Sequence, residues 1–197
     1  MPALETRRWS ADDVRALPDE PGKQFECVDG ELLVSPGPRL PHQSMVAALW
    51  RALDLYVHAE PVGAVFTAPG ELELDAFTLV QPDLFVLPLV DGRRPRTVEE
   101  IGMPLLFVEV LSPSTARYDK GVKRKRYQRS GVEYWIVDLD ARLVERWLPG
   151  AKGPEIIVGA ITWQPAGAEN LLTLDLIPLF VEALGQPQDT LPSQNTA

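Results

Sequence analysis

Cysteine is nearly missing from this chain: Cys27 is the only one in 197 residues, which excludes an intramolecular disulfide and any cysteine-based zinc site. In the run Phe25-Glu26-Cys27 it shares strand parity with Phe25, so it reads as a small buried hydrophobe rather than a reactive thiol. Positive charge is also in deficit. Nineteen Lys and Arg face 28 Asp and Glu, a formal net charge of −9, which argues against a protein that grips nucleic acid over a broad basic face. No stretch is long and apolar enough to span a bilayer, and residues 1–8 lack the apolar core of a signal peptide, so a cytoplasmic protein is expected. Compositional extremes are lacking too: 45% hydrophobic and 24% charged residues are ordinary for a folded soluble domain, and the length suits one domain.

The charge is unevenly distributed. Between Arg117 and Arg129 seven basic residues face one acid, Asp119, a local +6 in a chain of −9. Such a run usually marks a solvated helix face, so position must decide which cations matter. Ser10 with Asp13 predicts an N-cap and a short helix ending near Pro18. Two apolar-rich runs around Asp29-Gly30 predict a β-hairpin over residues 25–34, because that dipeptide tolerates the positive φ of a tight turn. Met45, Val46, Leu49, Leu53 and Val57 recur at helical spacing, giving a long amphipathic helix over about 42–59.

Strands are predicted over 64–68, 71–74, 79–87 and 105–111, with a polar loop at 91–96 and a short helix near 98–101. Residues 116–130 form a basic helix stopped by Gly131, a residue suited to a C-cap. A second hairpin follows at 134–139 and 143–148, then edge strands at 156–158 and 171–174 and a helix at 176–184. The order is that of an α/β fold with a mixed central β-sheet flanked by helices. From Gly185 the chain is polar with little to bury, so residues 1–184 form the expected domain and 185–197 a disordered tail.

Two strands carry a chemical signal. Asp83 is the only charge in the apolar run 79–87, and Pro82 beside it removes a ladder donor. Burying an ionised carboxylate is costly unless it is paired or coordinated, so Asp83 implies either a partner or a sheet edge facing water. Glu109 repeats the pattern as the lone acid of residues 105–111. Adjacent strands lie about 4.8 Å apart, so two inward carboxylates on neighbouring strands can share one hard divalent cation and both remain ionised.

Six segments carry a family resemblance in order: Phe25-Glu26-Cys27-Val28-Asp29-Gly30-Glu31-Leu32, Pro41-His42-Gln43, Val80-Gln81-Pro82-Asp83, Val108 through Thr115, Asp119 through Tyr127, and Gly131 through Asp138. The sequence resembles the Uma group of the PD-(D/E)XK nuclease superfamily, with a restriction-endonuclease-like fold. The resemblance implies a metal-dependent endonuclease that hydrolyses phosphodiester bonds of nucleic acid, DNA first. It implies Mg²⁺, with Mn²⁺ as substitute, held by Asp83, Glu109 and the Val110 carbonyl, with Lys123 as the catalytic cation. The wider superfamily places its lysine two residues after the acid; here that position is Leu111, and the lysine has moved to the following helix, as the Uma group has it. Helical spacing aligns Asp119, Lys123 and Tyr127.

Glu26 matches a family acid that could hold a second ion or orient water, with a hairpin surface acid as the alternative. His42 and Gln81 complete the candidate set. A rival reading is a catalytically silent module of the same fold that uses the basic helix to hold nucleic acid or a partner protein. No target-recognition domain is visible, so specificity would come from a partner or from homodimerisation. The composition of the tail carries a prediction of its own: ending the chain after Leu184 leaves the melting temperature unchanged in a thermal scan.

Overall fold

The computed structural model describes residues 7–97 and 100–186. It opens with α1 (Ala11–Arg15), where the Ser10 side chain accepts from the Asp13 N–H as the expected N-cap and Asp13 in turn accepts from the Ser10 N–H, which completes a capping box. The first hairpin joins β1 (Lys23–Val28) to β2 (Glu31–Pro36). Its turn holds Asp29 and Gly30 at φ of 53° and 87°, the double positive φ of a type I′ turn. The long helix α2 spans Leu40–Ala59 and begins two residues earlier than expected. Pro41 lies in the first turn, where a missing N–H leaves no hydrogen bond unmade.

The next strands are β3 (Gly63–Thr67), β4 (Leu72–Asp75), β5 (Thr78–Val80), β6 (Leu84–Pro88) and β7 (Leu106–Val110). The expected single strand over 79–87 is two strands in different sheets. Segment β5 belongs to an antiparallel four-stranded sheet ordered β2-β1-β5-β4, whereas β6 enters the six-stranded sheet. Pro82 explains the break, since it cannot donate to a continuing ladder. Of the short helix expected at 98–101, Val98 and Glu99 lie outside the described residues.

The basic helix is also interrupted. It runs as α3 (Ala116–Tyr118), a π-helical turn at Asp119–Lys123, and α4 (Arg124–Arg129). Then come β8 (Glu133–Asp138), β9 (Leu143–Trp147), β10 (Glu155–Ile157), β11 (Ala160–Trp163), β12 (Leu172–Asp175) and α5 (Leu176–Leu184). Strand β11 was not anticipated, because four residues pairing only with β12 give too short a pattern to read. The large sheet runs β10-β9-β8-β7-β6-β3, mixed because β7 and β8 are parallel while its other pairs are antiparallel. The β7–β8 connection is the basic helix, as parallel neighbours require a crossover.

Strand alternation divides the core in two. Leu84, Val86, Leu106 and Val108 point to the face covered by α2 and α5, with Leu49, Leu53, Trp135 and Phe180. Phe85, Leu87, Phe107 and Ile136 point to the opposite face, covered by Tyr127 of α4 and by Val28, Leu33 and Val80 of the small sheet. No described helix is long and apolar enough to cross a membrane. The two-sided core predicts a contrast along α2. Leu53 is fully buried and Leu55 is 74% exposed, so Leu53→Ala lowers stability by about 2–5 kcal/mol while Leu55→Ala stays within about 0.5 kcal/mol, read from urea denaturation midpoints.

Candidate active site

Residues 81–83 carry the chain from the small sheet to the large one, and the broken ladder leaves backbone donors there to satisfy. Pro82 has none. The Gln81 N–H donates to Glu26 Oε1 at 2.7 Å, and the Asp83 N–H donates to Glu109 Oε2 at 3.3 Å. In the antiparallel β6–β7 pair Leu84 opposes Val108, so one step further Asp83 opposes Glu109. The Val110 N–H returns a hydrogen bond to Asp83 Oδ2 at 2.8 Å. Two acids that sequence placed on neighbouring strands are thus adjacent, with Asp83 in the crossover rather than in mid-strand.

The helical segment supplies the cation. Lys123 Nζ lies 2.8 Å from Glu26 Oε2, 3.0 Å from Glu109 Oε1 and 3.6 Å from Asp119 Oδ1. The lysine is only 4% exposed, so it is an interior cation and not part of a solvated face. The π-turn helps to align it. An α-helix over-rotates by about 40° for each four-residue step, and a wider turn rotates less, so Asp119, Lys123 and Tyr127 all stay buried in one column. The Tyr127 ring stacks on Phe107 with centroids 4.0 Å apart, and its hydroxyl sits 3.4 Å from Glu109 Oε1. Leu111 packs in the apolar cluster beside it.

His42, at the start of α2, meets Asp83 Oδ2 through Nε2 at 3.0 Å, while its buried Nδ1 has no described partner. Burial alone would lower the imidazole pKa, but the Asp83 carboxylate and the Val110 backbone outweigh it and raise the value. Glu26, His42, Gln81, Asp83, Glu109 and Lys123, all expected from sequence, line one pocket of about 30 Å³, room for a single water or ion. Gln81 acts on the cluster through its backbone. Asp119 was not among the expected site residues, although its four-residue spacing from Lys123 was a legible signal.

The electrostatics are unbalanced. Burial pushes the Glu109 carboxyl well above its ordinary value; Lys123 offsets part of this, while Asp119, Asp83 and Glu26 add repulsion. Burial likewise raises Asp119 from 3.8 to about 6 despite Lys123. Burial would lower the Lys123 pKa, yet the surrounding carboxylates hold it well above 10.5. Three carboxyls contact one lysine, with Asp83 beside Glu109, and the burial that raises Glu109 and Asp119 shows the cluster to be short of positive charge, the condition that favours a hard divalent ion. Asp83 Oδ1 takes no hydrogen bond from a described residue. Among the described residues, however, no three His, Cys, Asp or Glu side chains form a ready ligand set, so a bound ion would need backbone carbonyl and water oxygens beside Asp83 and Glu109.

Much of the rest of the basic helix is engaged within the molecule. Lys120 pairs with Asp138 and Glu145, Arg126 with Asp75, Arg129 with Asp29, and Arg124 lies over the Trp147 ring. These four cations serve the fold, which leaves Arg117 and Lys125 as the exposed cations of the run without an acidic partner among the described residues, fewer than the broad basic face that a silent binding module would use.

A model of the Uma2 family, described as "Putative restriction endonuclease", matches residues 11–180. The chain belongs to the Uma2 family. A solved structure described as "a putative nuclease belonging to DUF820" from Anabaena variabilis shares the fold: TM-score 0.72 at 20% identity, covering 89% of this chain and 99% of that one. No curated protein matches this Uma2 chain.

The raised Asp119 carboxyl carries a signed prediction. The folded state holds this proton more tightly than the unfolded chain, so it costs stability as pH rises from 3.8 through about 6. Asp119→Asn removes that cost. The variant matches wild type in acid and becomes more stable above pH ~6, by on the order of 2 kcal/mol, as read from denaturation midpoints across pH.

Proposed function

We propose that this protein is a Mg²⁺-dependent endonuclease that hydrolyses nucleic-acid phosphodiester bonds, with DNA as the first substrate to examine. The observation that carries this reading is the convergence of Asp83, Glu109 and Lys123 on one pocket from the crossover before β6, from β7 and from the following helix. The match to the restriction-endonuclease family supports it. Asp83 and Glu109 would hold the ion, with the Val110 carbonyl as a third oxygen; carboxylate and carbonyl donors suit Mg²⁺ or Mn²⁺ better than zinc. When bound, the ion supplies positive charge that eases deprotonation of the attacking water and screens the phosphate.

The chain's own groups do the remaining work. Lys123 keeps its proton, because three carboxylates surround it, and presents a fixed positive charge beside Glu109 where negative charge grows on the phosphate. Glu26 holds the amine from the opposite side, and His42 holds Asp83 in place. Water attacks phosphorus in line, a new P–O bond forms, and the opposite P–O bond breaks with its oxygen leaving to accept a proton. A pocket of about 30 Å³ has room for a single water or ion and none for a nucleotide, so the substrate phosphate lies across its mouth.

The deciding experiment incubates purified protein with labelled single- and double-stranded DNA and RNA under Mg²⁺, Mn²⁺ or EDTA. Cleavage with Mn²⁺ that EDTA abolishes is the expected result; intact substrates throughout would overturn the reading. Asp83→Ala and Glu109→Ala each lose calorimetric Mn²⁺ binding and cleavage yet remain folded, because each removes one carboxylate from a crowded cluster. Lys123→Ala loses single-turnover cleavage while retaining Mn²⁺ affinity, since it removes a transition-state contact and not a ligand. Adding Leu111→Lys to that variant restores part of the rate, because Leu111, the residue after β7, packs with Phe107 and Tyr127 on the Glu109 side of the sheet.

A further inference from the structure

A second cavity opens on the same pair of residues. His42 and Asp83, which line the catalytic pocket, also head a groove of about 730 Å³, a size typical of small-molecule sites. One wall is α2: His42, Val46 and Trp50 follow one another at four-residue steps, and Gln43 and Arg51 belong to the adjoining row. The other wall is Thr67, Ala68 and Pro69, with Gln24 of β1 nearby. From His42 to Trp50 the helix rises about 12 Å, so the groove leads directly away from the catalytic pocket.

Its chemistry discriminates among possible occupants. An apolar floor with an aromatic ring, flanked by two amides, suits a flat heterocycle with hydrogen-bonding edges. It does not suit a phosphate. The arginine that lines the groove, Arg51, is bound to Glu182 at 2.6 Å, and the basic helix, most of whose cations are paired within the fold, contributes no lining residue. With a net charge of −9 and no unpaired cation lining the groove, backbone contacts are a poor source of affinity.

Resting on the endonuclease reading, we propose that this groove is a nucleobase subsite: it takes an unpaired base next to the scissile phosphate, against Trp50 and within reach of Gln43 and Gln24. The substrate is therefore single-stranded or locally unpaired nucleic acid. A base held in a stacked duplex cannot enter a groove walled on both sides.

The test uses the full chain and a fluorescent single-stranded DNA oligonucleotide in which each nucleotide in turn is replaced by an abasic unit, which keeps the phosphate and deletes the base. Binding is read by anisotropy in EDTA, and cleavage separately with Mn²⁺. The expected result is tighter binding of the single strand than of the matching duplex, with one abasic position weakening it roughly ten- to hundredfold. Trp50→Ala loses a similar factor and becomes insensitive to that abasic position, while Trp50→Phe keeps most of the affinity and shows by its melting curve that the helix is intact. Equal affinity for duplex and single strand, or an abasic effect unchanged in Trp50→Ala, overturns the subsite. Absence of oligonucleotide binding overturns it as well. Base-dependent binding without cleavage under any metal sustains the subsite and rejects the endonuclease reading instead.

Discussion

A single buried ammonium group holds the interior of this protein together electrostatically. Lys123 lies within 3.0 Å of both Glu26 and Glu109 and 3.6 Å from Asp119, and those acids come from the small sheet, the large sheet and the helix that crosses between β7 and β8. Without it the two sheets would meet over like charges in a medium that screens them poorly. With it the cluster is still short of positive charge, and that shortage makes the pocket a place for a cation. Stability and proposed chemistry thus pull in opposite directions, a pattern common at functional sites.

The crossover at Gln81-Pro82-Asp83 is the second constraint, and it depends on the first. A chain leaving one sheet for another abandons its ladder, and buried backbone donors need acceptors. Here the acceptors are the side chains of Glu26 and Glu109, so the acids that crowd Lys123 also make the topology possible. Pro82 reduces the demand by having no N–H. Each glutamate therefore serves two purposes, accepting a backbone N–H at the crossover and facing Lys123, which ties the fold to the site more closely than a set of pendant side chains would.

Two grooves of different character meet at His42 and Asp83. The narrow one gathers charge, whereas the wide one is walled by Trp50, Val46 and Pro69 and offers no free cation. This division fits an acidic protein whose contacts with a polyanion would come from local chemistry and not from a general field. It also accounts for the basic helix, whose cations are largely matched by acids of the same chain.

The sequence by itself located most of the elements and the candidate site residues. Hydrophobic periodicity located α2, most of the strands and α5, because burial on one face leaves a repeating trace along the chain. Lone acids in apolar runs marked Asp83 and Glu109, because an unpartnered charge does not persist there. Only the tertiary structure decided the rest. That Pro82 divides one apolar run between two sheets depends on which strands compete for pairing. Whether Lys123 or Lys120 enters the interior depends on a π-turn that no local spacing announces. That Asp119 joins the cluster, that His42 reaches Asp83 across 41 positions, and that Trp50 lines a groove beside them are facts of packing between distant segments. The physical reason is the same in each case: local sequence sets which conformations a segment can adopt, but a buried charge is placed by partners that only the folded chain brings within reach.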